Sequence, residues 1–145
     1  MSRLVVVRHA KSDYPWGVSD HDRPLNDRGR RDAPIVGEWL DAHIIWDVDA
    51  EPIVVVSTAR RAQLTWGHAA ERLSERWANV EERDEPRIYE APVADLLDVV
   101  REAGQEADTV ILVGHNPGVA GLVWTLAQAS ALRDTLSLLL ESAVR

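Results

Sequence analysis

Three runs of branched apolar residues constrain this chain more than any other feature: "RLVVV" over 3–7, "PIVVVS" over 52–57 and "TVILVG" over 109–114. Each is continuous rather than alternating, the mark of a strand covered on both faces, as in a parallel sheet flanked by helices. Amphipathic stretches lie between them. Ala62, Trp66, Ala69, Leu73 and Trp77 recur three or four residues apart and predict a helix over 60–77. Residues 92–103 begin with Pro92, place Val93, Leu96, Leu97 and Val100 on one side, and meet a stop at Gly104. Residues 117–128 run through Val119, Leu122, Val123 and Leu126 behind Asn116, a good N-cap. Pro34 interrupts a further pattern between Asn26 and Ala42, so that helix either starts near Asp32 or is kinked at the proline. At the C-terminal end, Leu132, Leu136, Leu139 and Leu140 have helical spacing. Buried strands alternating with helices predict an α/β fold, a three-layer α/β/α sandwich around a mostly parallel central sheet, with residues 1–145 as a single domain.

Composition narrows the function. A chain of 145 residues, 46% hydrophobic, holds one real core and is short for two domains. It has no apolar stretch of bilayer-spanning length, and "MSRLVVVRHA" is charged too early for a secretory signal, so a soluble, cytoplasmic protein with no membrane partner is expected. The absence of cysteine excludes disulfides, thiolate zinc sites and cysteine nucleophiles. A net charge of −8 argues against nucleic acid as a partner. The charge is uneven, however. Residues 1–31 carry seven Arg or Lys against four acids, whereas residues 80–108 carry ten acids against three arginines. A locally basic N-terminal third suits a small anionic substrate, although Arg28, Arg30 and Arg31 read as surface charges. With no phenylalanine present, the six tryptophans read mostly as core fillers, and Trp16, in a loop, as a residue that borders or gates a pocket.

The apolar runs end in chemistry. Arg8 and His9 close the first, Ser57 the second, and His115 follows the third. In open α/β sheets ligands bind at such carboxyl ends, around a topological switch point. Phosphate loops of the G-x-x-x-x-G-K-[ST] and G-x-G-x-x-G types, tight metal-ligand spacings and G-x-S-x-G are all missing. Histidine and arginine remain. A neutral imidazole is a competent nucleophile toward phosphorus when its second nitrogen donates to a fixed acceptor. Guanidiniums suit the equatorial oxygens of a transferring phosphoryl group, and as like charges they lower a neighbouring histidine's pKa.

These residues resemble the histidine phosphatase superfamily, in particular its short phosphohistidine phosphatase-like branch, with a phosphoglycerate mutase-like fold. The family's Arg-His-Gly triplet is matched by "RHAKS", with Ala10 in place of glycine. Its S-x-x-x-R-A-x-x-T pattern is matched by Ser57, Arg61, Ala62 and Thr65 in "STARRAQLT", in a register that favours Arg61 over Arg60. Arg23, Pro24, Leu25 and Gly29 resemble the R-P-L-x-x-x-G-R stretch, and Gly114 and His115 the late Gly-His. The resemblance implies a metal-independent, cofactor-independent phosphatase that forms a covalent phosphohistidine on His9, with Arg8, Arg61 and His115 holding the phosphate oxygens. Arg23 is either a contact at the pocket rim or a loop ion pair. Larger relatives carry a carboxylate that protonates the leaving group; Glu90 is the first candidate here and Asp95 the second. The implied partner is a phosphorylated small molecule or a phosphohistidine protein. A phosphoglycerate-type mutase and a catalytically silent phosphate-binding domain are the alternatives. His21, His43 and His68 have no matching context and read as structural or solvent-facing.

Overall fold

The computed structural model describes residue 1, residues 3–129 and the backbone of residues 136–139. In chain order the elements are β1 (Arg3–Arg8), α1 (Asp27–His43), β2 (Ile53–Ser57), α2 (Arg60–Ala70), β3 (Glu81–Glu85), α3 (Val93–Gly104), β4 (Thr109–Gly114), α4 (Gly118–Gln128) and β5 (Leu136–Leu139). The five strands form one parallel sheet in the order β3-β2-β4-β1-β5.

The branched runs form its centre because both faces of β1, β2 and β4 are covered. Leu4, Val6, Ile53, Val55, Val110 and Leu112 point to one face, where Leu96, Val99 and Val100 of α3 and Val119, Leu122 and Leu126 of α4 pack on them. Val5, Val7, Val54, Val56, Ile111 and Val113 point to the other, against Val36 and Leu40 of α1 and Ala62, Trp66 and Ala69 of α2. The period-two alternation of the strands thus divides the core into two slabs, and the three-layer expectation holds. Among the described residues, no helix is long and apolar enough to cross a membrane.

Local sequence accounts for most element ends. Asn26 caps α1, its side chain accepting from Gly29 N. The helix starts at Asp27, not near Asp32, and continues as one element through Pro34. Asn116 Oδ1 accepts from Ala120 N at 3.1 Å and so serves the start of α4. The helix expected over 60–77 ends at Ala70 instead. Trp77 still reaches the core, but from a separate 3-10 turn (Glu75–Trp77) that is tied to α1: Asp41 accepts from Ser74 N, Ser74 Oγ and Trp77 Nε1. Trp124 is 70% exposed and Trp16 fully exposed, so neither is a core filler.

Two strands differ from the sequence expectation. β3 reads "EERDE", and as an edge strand it keeps most of its side chains in solvent, where charge blocks further pairing. Leu136 and Leu139, spaced as in a helix, fall in β5, which pairs with β1 from Leu4↔Leu136 to Val7↔Leu139. Leu132 and Leu140 lie outside the described residues.

Helices α1 and α2 cross closely at Gly37, where a β-carbon would stand 1.9 Å from the Ala69 carbonyl oxygen. Gly67 of α2 would place one in open space. Gly37→Ala is therefore expected to force the helices apart and cost about 2 kcal/mol, lowering Tm by roughly 4–8 °C, whereas Gly67→Ala gains up to about 1 kcal/mol from helix propensity. Thermal melts of the two variants check the pair, and equal shifts would contradict the close crossing.

Candidate active site

Strand register builds the site. Arg8 of β1 pairs with Gly114 of β4, and His9 N donates to Gly114 O at 2.9 Å. The next residue of each chain segment is a histidine, and the rings of His9 and His115 lie 5.1 Å apart. After β1 the chain feeds α1 on one face of the sheet, and after β4 it feeds α4 on the other. The connections diverge from neighbouring strands and open a crevice at their carboxyl ends.

His9 is held in one tautomer. Its Nδ1 lies 2.7 Å from Ala10 O, a carbonyl that can only accept, so Nδ1 carries the proton and Nε2 the lone pair. Ala10 is buried between Leu25 and Ala33, where a small residue fits, and its N–H donates to Thr65 Oγ1 at 2.9 Å. Thr65 in turn donates to Arg61 O at 2.7 Å, which locks the loop that carries His9 to the first turn of α2. Gly29 has a similar structural reason: a β-carbon there would meet Lys11 O at 2.1 Å, so only glycine lets α1 approach the loop after His9.

A cavity of about 210 Å³ opens in front of His9 and is lined by Arg8, Lys11, Arg23, Arg61 and His115 among others. The buried Nε atoms of Arg8 and Arg61 and the Nδ1 of His115 have no protein partner. Arg61 is 6% exposed while Arg60 is exposed, as the motif register predicts. His115 Nε2 lies 2.7 Å from Ser57 Oγ, so the end of β2 orients the second imidazole. Arg23 reaches the same cavity and is fixed on several sides: it donates to Ser12 Oγ at 2.8 Å and to Asp13 O at 3.1 Å, and it stacks 4.0 Å over the Tyr14 ring.

Asp20 has a role that the sequence did not reveal. Its carboxylate accepts from Arg23 Nε at 3.0 Å, Arg61 NH2 at 3.2 Å and Tyr89 OH at 2.5 Å, and its backbone oxygen accepts from Arg61 NH1 at 2.7 Å. One acid thus ties together groups from three parts of the chain. Its spacing of three residues from Arg23 was the available signal. Tyr89, missed as well, stands 5.7 Å from the His115 ring, and His21 packs edge-on against it while bonding Thr58 Oγ1 at 3.0 Å. His21 lines neither of the cavities around Arg61 and His115.

Electrostatics follow from this packing. Burial, opposed by the Ala10 hydrogen bond and reinforced by Arg61, Arg8 and Arg23, lowers the pKa of His9 from 6.5 to about 4. Burial, with His9 and Arg61, takes His115 down to about 3. Both imidazoles are neutral at pH 7. The Tyr89 hydrogen bond and the two arginines hold Asp20 down at about 2, so it is ionised.

The remaining candidates separate. Glu90 lines an adjoining cavity that shares Arg61 and His115 with the first. Asp95 lies exposed in the first turn of α3, where an acid complements the helix dipole, and lines neither cavity. Trp16 is likewise absent from both walls, so it does not border the pocket. Among the described residues, no group of three or more His, Cys, Asp or Glu is disposed to hold a metal ion.

Comparison with known proteins agrees with this geometry. Residues 4–107 match the family model of the histidine phosphatase superfamily, branch 1. An uncharacterized protein of Mycobacterium tuberculosis is 37% identical over 124 residues, covering 86% of this chain and 72% of its own length. Among solved structures, a protein from Nakamurella multipartitia assigned as the phosphohistidine phosphatase SixA superposes with a TM-score of 0.74 at 33% identity, over 92% of this chain and 70% of the other. The protein so assigned from Agrobacterium tumefaciens superposes with a TM-score of 0.71 at 25% identity, over 90% and 80%. The chain belongs to the histidine phosphatase superfamily, branch 1, and by that membership is a phosphatase.

Proposed function

We propose that the protein hydrolyses its substrate in two steps through a phosphohistidine on His9, without a metal or cofactor, and that protein phosphohistidine is its substrate. The observation that carries the reading is the pinned, neutral His9, which lines a cavity walled by arginines. The similarity to the two SixA-assigned structures supports the choice of substrate. A cytoplasmic location belongs to the same reading.

In the first step His9 Nε2 attacks phosphorus, the bond to the leaving group breaks, and its electron pair departs with that group. Arg8 and Arg61 line the same cavity, and their guanidiniums neutralise the equatorial oxygens. Arg23 contacts the phosphate from the rim. His115, neutral and held by Ser57, donates a hydrogen bond to another oxygen. Glu90 serves the leaving group from the neighbouring cavity. In the second step water attacks phosphorus, the P–N bond returns its pair to His9, and inorganic phosphate is released. Asp20 keeps Arg61 and Arg23 aimed during both steps.

Hydrolysis of an aryl phosphate and of a phosphohistidine protein is expected to persist in chelator and to fall by at least about 10³-fold in His9→Ala, with loss of an acid-labile phospho-adduct. Turnover that survives the substitution rules this mechanism out. The pH profile is a second check. A histidine depressed to about 4 keeps its lone pair as the pH falls through 6.5, so the enzyme limb of kcat/KM, corrected for substrate ionisation, is expected near pH 4. An enzyme limb near 6.5 would show an exposed, unperturbed nucleophile.

A further inference from the structure

Ser57 closes β2 and belongs to the motif that supplies Arg61, but the phosphoryl-transfer steps leave its hydroxyl proton without a role. The residue is fully buried, at 0% exposure. Two groups meet its oxygen: Ala59 N donates to Oγ at 3.2 Å, and His115 Nε2 lies 2.7 Å away. A hydroxyl has one proton to give and two lone pairs to offer. The Ala59 amide takes one lone pair, so the direction of the contact with His115 depends on where the hydroxyl proton can go.

Two arrangements are open to a neutral His115. With the proton on Nε2, donated to Ser57, the hydroxyl proton is buried without an acceptor and the Nδ1 lone pair without a donor, because Nδ1 is buried and has no protein partner. With the hydroxyl donating to Nε2 instead, the ring proton lies on Nδ1, and that N–H is the one group left over. Buried polar groups are costly to leave unpaired, and the second arrangement leaves one where the first leaves two. It also makes the unpartnered groups alike. Among the described residues, the buried side-chain atoms without a partner are Arg8 Nε, Arg61 Nε and His115 Nδ1, and all three residues line the cavity at His9. Both arginine nitrogens are donors, and a protonated Nδ1 is a third. Donors from three separate elements, with no acceptor among them, suit an anion.

We infer that Ser57 is a positioning residue: its hydroxyl donates to His115 Nε2, fixes the ring proton on Nδ1, and so keeps His115 a hydrogen-bond donor toward phosphoryl oxygens while withholding its Nε2 lone pair from phosphorus. The inference rests on the covalent His9 reading above. The two imidazoles then share one tautomer and differ in which nitrogen the protein occupies. His9 gives its N–H to Ala10 O and keeps its Nε2 lone pair, whereas His115 has that lone pair occupied by Ser57 and keeps its N–H. Two rings 5.1 Å apart thereby become one nucleophile and one donor. The surrounding charge cannot make that distinction, since Arg61 lowers the pKa of both rings. Without the hydroxyl, the proton is free to move to Nε2, and the lone pair left on Nδ1 repels a phosphoryl oxygen.

The test reads the His115 tautomer in the full chain at pH 7 by nitrogen NMR, with the ring signals assigned by their loss in His115→Gln. The parent is expected to show a protonated Nδ1 and an unprotonated Nε2, and Ser57→Ala to move His115 toward the Nε2–H form while His9 keeps its own tautomer. In the same variant kcat/KM for an aryl phosphate is expected to fall about tenfold or more, as a donor to the transition state is lost. A parent protonated at Nε2 overturns the inference, whether or not the variant folds. So does a tautomer in Ser57→Ala that matches the parent's, or a shifted tautomer with kcat/KM within about twofold of the parent. Phospho-His9 formation, followed separately in the parent, reports on the covalent mechanism. Its presence beside the wrong tautomer overturns the role of Ser57 alone, and its absence overturns the mechanism and the inference together.

Discussion

The pairing of β1 with β4 is the constraint on which the rest depends. Because Arg8 lies opposite Gly114 in a parallel ladder, the residues that follow must be neighbours, and both are histidines. A slip of one residue would send Val5 and Val7 to the slab that now holds Leu4 and Val6, and would carry the Arg8 side chain across the sheet. Core packing on two faces therefore enforces the alignment of the imidazoles. Folding and the geometry of the candidate site are decided by the same ladder of hydrogen bonds.

A second layer of contacts converts that alignment into usable electrostatics. Like charges crowded around a small cavity oppose one another, and Asp20 offsets the repulsion between Arg23 and Arg61 while holding both in place. Its carboxylate is itself partly exposed, so its value lies in direction more than in energy. Burial among cations keeps both histidines neutral, one with its proton on the nitrogen facing Ala10 and its lone pair on the other. The two cavities differ in charge: Arg8, Lys11, Arg23 and Arg61 line the first, while Arg61 and Glu90 line the second.

What could be read from the sequence followed burial. Strands β1, β2 and β4 announced themselves because both their faces are covered, whereas β3 was unreadable: "EERDE" carries the signature of solvent, and only pairing with β2 makes it a strand. Helical spacing misled twice, at Trp77 and at Leu136 with Leu139, because three-residue spacing cannot distinguish a continuous helix from a turn or strand set by tertiary contacts. In the site, His9, Arg8, Arg61, His115 and Arg23 were legible as local motifs at strand and helix ends. Asp20 and Tyr89 were not: the spacing of Asp20 from Arg23 was a slight signal, and the contacts that join Asp20 to Arg61 and to Tyr89 span 41 and 69 residues. Leu25, Gly29 and Thr65 belong to the motifs for packing reasons that only coordinates display.

The central claim is that one tetrahedral anion can touch His9, Arg8, Arg61 and His115 at once. A crystal structure of the protein with orthovanadate tests it most directly. The account predicts vanadium in line with His9 Nε2 and its oxygens within hydrogen-bond reach of both arginines and His115. Vanadate bound elsewhere on the chain, or bound in this cavity without contact to His9, would contradict it.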